Sequence, residues 1–122
     1  MDIGELLVTV LRARFEGAIV ERSRVGEVQV RFPAVHAAVG DAVAAVESGD
    51  VTVYSGCYHL EPPDRTPEAI VDSVERFLET LFADRVLLWR EALGGGFSVL
   101  RPGETPGPRG DQSFLWSGPL VA

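Results

Sequence analysis

Residues able to do chemistry crowd into one short stretch: Tyr54, Cys57, Tyr58, His59, Glu61 and Asp64. Cys57-x-His59-x-Glu61 sets a thiol, an imidazole and a carboxylate at every second position, on one side of an extended chain, with Asp64 just beyond. Such a set could hold zinc. A zinc site, however, normally draws ligands from two elements, and His36 is the only other imidazole. The stronger reading of Cys57 is a small buried residue beside an ordinary loop histidine, so no metal and no cofactor are expected. A Cys57–His59 nucleophile pair would further need an orienting group and an oxyanion hole, which no motif announces. Tyr54, Cys57, His59 and Asp64 are kept as the pocket of an alternative function, a small-molecule-binding protein or hydrolase using the 54–64 loop.

Other candidates are structural. Asp84-Arg85 could pair a catalytic acid with a phosphate-gripping guanidinium. A cation at a helix C-terminus paired with the neighbouring carboxylate explains the same two residues without chemistry. Gly94-Gly95-Gly96 lacks the Lys-Ser/Thr of a phosphate loop and is read as a turn. More informative are Glu68, Asp72, Glu75 and Glu79, at i, i+4, i+7 and i+11. At about 100° per residue they fall on one helix face, expected opposite the apolar one. Such a face is either a solvated surface or a docking surface for a basic protein. Tyr58 and His59, in the loop leading into the helix, are added to that binding set.

The elements that must position these residues follow from periodicity. Ile70, Val74, Phe77, Leu78 and Leu81 form a helical apolar stripe, with Thr66 able to cap it and Pro67 suited to the first helical position. A helix is therefore expected over about 66–84, delivering into a strand over 85–89. Ile3, Leu6, Leu7, Val10 and Leu11 predict an earlier helix over about 2–15. Strands are expected at 17–22, 27–32, 51–54, 97–100 and 113–117. Residues 35–46 fit either period; Gly40-Asp41 is a poor helix interior and Glu47-Ser48-Gly49-Asp50 a good hairpin, so 41–47 is read as a strand. Ser55 to Arg65 reads as a loop, and about 101–112 as a flexible one with three prolines and three glycines. The sum is one α+β domain over residues 1–122, a mainly antiparallel sheet with two helices packed on one face.

Composition narrows function. At 122 residues and 46% hydrophobic content the chain can build one core. The net charge of −7 argues against nucleic acid as a partner. No apolar run is long enough for a membrane span, and Asp2 and Glu5 stand where a signal peptide would be basic. With a single cysteine, a cytoplasmic protein is expected. Oligomeric state is not legible.

Asp50-Val-Thr-Val-Tyr54 with Gly56 and His59, then Phe77-Leu78, Leu81 to Val86 and Trp89, resembles a group of small uncharacterised bacterial α+β proteins. Some members of such groups are similar to immunity proteins that neutralise toxins of neighbouring cells. The resemblance spans roughly residues 38–90. It implies an interaction protein, an immunity-type inhibitor, without catalysis.

Overall fold

A computed structural model describes residues 2–55, 58–63 and 65–120, with the backbone alone at 58–60. The fold is α+β. Helix α1 (Ile3–Arg14) leads into strands β1 (Ile19–Arg22), β2 (Val28–Phe32), β3 (Ala42–Glu47), β4 (Asp50–Ser55) and β5 (Tyr58–Leu60). Helix α2 (Pro67–Phe82) follows, then β6 (Val86–Glu91), β7 (Gly94–Val99), β8 (Gln112–Leu115) and β9 (Gly118–Pro119). Among the described residues the strands form two antiparallel sheets, ordered β1-β2-β3-β4-β5 and β7-β6-β8-β9. Strand β5 lies against β7 where the sheets adjoin.

Alternation in β2 to β4 decides the layering. Val28, Val30 and Phe32 on β2 share a face with Ala42, Ala44 and Val46 on β3 and with Val51 and Val53 on β4, all buried. Helix α1 packs on β2, α2 packs on β4, and the helices touch each other. Leu7 and Leu11 join Ile70, Val71, Val74, Leu78 and Leu81 over that face, and Val86, Leu88, Phe114 and Trp116 bring the second sheet into the same core. Phe15, at the end of α1, meets Phe82 of α2 edge-on at 5.3 Å, and Phe82 stacks toward Trp116 at 4.9 Å. The C-terminal ends of the two helices therefore converge.

Several expectations are corrected. The loop expected over 55–65 contains β5, whose backbone pairs Val53 with Leu60 and Tyr54 with His59. Gly94-Gly95-Gly96 is not a turn but the first half of β7; the turn is Ala92-Leu93, since Glu91 pairs with Gly94. Gly96 opposes Trp89, and a Cβ there would stand 2.6 Å from the indole, so the missing side chain is the space the indole fills. The last strand stops at Leu115, and the chain turns into β9. Phe77 is half-buried instead of central, set edge-on against Phe97 at 5.5 Å. Residues 42–47 are a strand, and Ser48-Gly49 closes its hairpin with φ of 51° and 84°, the paired positive values of a tight two-residue turn.

Candidate functional site

Helix α2 fixes the acidic residues. Thr66 Oγ1 accepts the Ala69 N–H at 3.2 Å and Pro67 opens the helix, so its start is set by sequence. Glu68 sits in the first turn, where the helix dipole favours a carboxylate. Asp72 is held by the Arg76 guanidinium, Nε at 2.9 Å, one turn on. Glu79 is held from outside the helix: Arg14 in the last turn of α1 reaches its Oε1 at 2.8 Å. Among the described residues Glu68 and Glu75 have no ion-pair partner. The stripe is therefore uneven, two acids answered internally and two not. Its position also differs from expectation: contact with α1 places it on the α1 flank of α2, with Asp72 and Glu75 half-buried, while the exposed crest carries Arg76.

Of the 54–64 residues, Tyr54 does not meet that stripe. Tyr54 alternates with buried Val53 and Ser55 and so stands on the outer face of the first sheet, away from the helices. Its phenol donates to Glu47 Oε1 at 2.8 Å. That hydrogen bond, then partial burial, then the carboxylate charge itself raise the phenol's pKa, because a phenolate beside Glu47 would be repelled. The pair Ala45 and Thr52 lies between Tyr54 and Glu47 on this face, and the tyrosine crossing to Glu47 covers both, which leaves them 8% and 7% exposed. Register sets His59 opposite Tyr54 and Tyr58 opposite Ser55. The proposed pocket residues Cys57 and Asp64, and the side chains of Tyr58 and His59, lie outside the described residues. Among the described residues no cluster of three His, Cys, Asp or Glu has the geometry of a metal site.

Sequence reading missed a network on this outer face. Arg31 Nε binds Glu21 at 2.8 Å and its Nη1 reaches Asp41 at 3.3 Å, and the Glu21 hydrogen bond leads the causes that raise the arginine's pKa. Alternation in 27–32 points Arg31 outward, but its cross-strand partners depend on register that no local pattern encodes. Near the same face, a cleft of about 370 Å³ is lined by Glu21, Arg22, Glu27, Gln29 and Glu47 among others.

Asp84 and Arg85 do not pair with each other in the hydrogen bonds that place them. Asp84 takes φ +60 just past α2; its N–H bonds Leu81 O at 3.1 Å, and the Arg85 N–H bonds Thr80 O at 3.0 Å, the two bonds of a Schellman C-cap. Asp84 Oδ1 also accepts the Ser117 N–H at 2.9 Å, and Arg85 donates to the carbonyls of Arg101 and Glu104. Both side chains are structural here.

Comparison of the chain with family models, with curated proteins and with solved structures finds no match. No helix among the described residues is long and apolar enough to cross a membrane.

Proposed function

We propose that this protein is a small cytoplasmic protein-interaction protein, an immunity-type inhibitor without catalysis of its own, that binds a basic protein through the acidic flank of α2. The observation that supports the reading is the pair Glu68 and Glu75, carboxylates two turns apart with no ion-pair partner among the described residues, on a chain of net charge −7. Like charges left uncompensated on one rigid helix cost stability through repulsion and speed encounter with a cation. A helix docked on a sheet keeps its spacing fixed, so the charges are presented without an ordering cost on binding. Tyr58 and His59 belong to the same proposal as the aromatic part of the contact.

The test is to capture the partner from the native cell and measure association and dissociation at low and high salt. Glu68, Asp72, Glu75 and Glu79 changed together to Gln should lower the on-rate and flatten its salt dependence with far-UV circular dichroism unchanged. An on-rate indifferent to the four changes would reduce the face to a solvated surface.

A further inference from the structure

Strand β6 presents Val86 and Leu88 to the core, so Arg85, Leu87 and Trp89 line up on the opposite face of the second sheet, away from the helices. Leu87 and Leu100 are each only 7% exposed, yet neither belongs to the main core cluster. Something else covers them. Residues 101–109 leave β7 and return to β8, and they are fastened at two points on that outer line.

The first fastening is a turn closed by the Glu104 N–H on Arg101 O at 2.9 Å, with Pro102 and a positive-φ Gly103 at its centre; Arg85 grips the carbonyls of Arg101 and Glu104. In the second, the Arg109 guanidinium lies 3.8 Å from the centroid of the Trp89 ring, and Ser113 Oγ binds the Arg109 backbone. Arg85 and Trp89 are roughly 13 Å apart along an extended strand, with Leu87 midway. Between the fastenings, residues 105–108 carry no helix or strand, and Pro106 is their half-buried member.

We infer that residues 101–109 are a detachable strap: release of the Arg85 and Arg109 clasps lifts it as a unit and bares an apolar strip of Leu87, Trp89 and Leu100, while the main core stays folded. The strap adds no strand to either sheet, and what it covers is separate from the core cluster, so its departure breaks few of the contacts that hold the helices and sheets together.

Trypsin is the probe. Arg109–Gly110 can enter the protease only when Arg109 leaves Trp89, whereas Arg101–Pro102 resists cleavage because proline follows. Cleavage at Arg109, followed by mass, should run at least about tenfold slower than in a free peptide of residues 101–112, and its urea dependence should be much shallower than that of global unfolding measured by circular dichroism. Arg85→Gln should speed it roughly tenfold, the loss of hydrogen bonds from a charged donor. Cleavage as fast as in the peptide would mean no closed strap. A urea slope equal to that of global unfolding would mean that the strap lifts only with the whole fold. An unchanged rate in Arg85→Gln would mean that Arg85 is not a clasp. The wild-type urea slope stands even if the variant does not fold.

Discussion

Two residues carry their environment in a form that can be measured singly. Tyr54 donates to Glu47, and a folded state that favours the neutral phenol holds its proton above the ordinary value of about 10. The sign of the linkage follows: the contribution to stability is intact below the unfolded pKa and is lost as pH climbs through the higher folded one. In a Tyr58→Phe background, where Tyr54 is the only tyrosine, its absorbance titration should lie alkaline of a free tyrosine, and Glu47→Gln should move it back. Asp84 is the second. Its φ of +60 is costly for most side chains and its Oδ1 accepts the Ser117 N–H. Asp84→Ala should cost about 1–3 kcal/mol in urea denaturation, whereas Asp84→Asn, which tolerates that backbone and keeps an oxygen, should cost less than about 1 kcal/mol. Equal losses would show that neither the backbone conformation nor the Ser117 bond matters. Nothing in the sequence distinguished this Asp from an ordinary helix-terminal acid, because its partner is 33 positions away.

Elements were legible where one local pattern determined them. The 3.6-residue stripe, Thr66 and Pro67 placed α2, and Ser48-Gly49 placed the β3–β4 hairpin. Where the determinant is distant, reading failed. Three consecutive glycines signal a turn in isolation, but paired to β6 with Gly96 opposite Trp89 they are a strand, and that tryptophan sits seven residues from Gly96 by sequence. Strand β5 is three residues long in a proline-flanked stretch and exists through its pairing to β4. The division into two sheets likewise depends on which edges meet. The packing has a direct test. Leu78 is fully buried, and Leu78→Ala should cost about 2–5 kcal/mol, while Phe77→Ala, half-buried against Phe97, should cost less than a fully buried aromatic's 3–5 kcal/mol. Gly96→Ala should cost about 1–3 kcal/mol by crowding the indole, with a change in tryptophan fluorescence; a silent substitution would place the ring elsewhere.

For the molecule as a whole, the acidic residues were readable from spacing, but their pairing was not, since Arg14 comes to Glu79 from another helix. That pairing separates two quantities that one substitution scan would merge. Steering acts over distances at which only the sum of charges matters, so removing Glu68 and Glu75 should slow association with a basic partner about as much as removing Asp72 and Glu79. Contact acts at hydrogen-bond range, where Asp72 and Glu79 already hold arginines and Glu68 and Glu75 do not. The off-rate should therefore rise more for Glu68→Gln with Glu75→Gln than for the other pair. Changing Arg14 and Arg76 to Gln takes the net charge from −7 to −9 and should speed association at low salt by up to roughly tenfold, the advantage vanishing as salt is raised. Rates measured by surface plasmon resonance on the captured partner, with the fold of each variant checked by circular dichroism, decide the matter. If the arginine variant associates no faster than wild type, charge does not steer the encounter and the acidic flank of α2 is not the docking face.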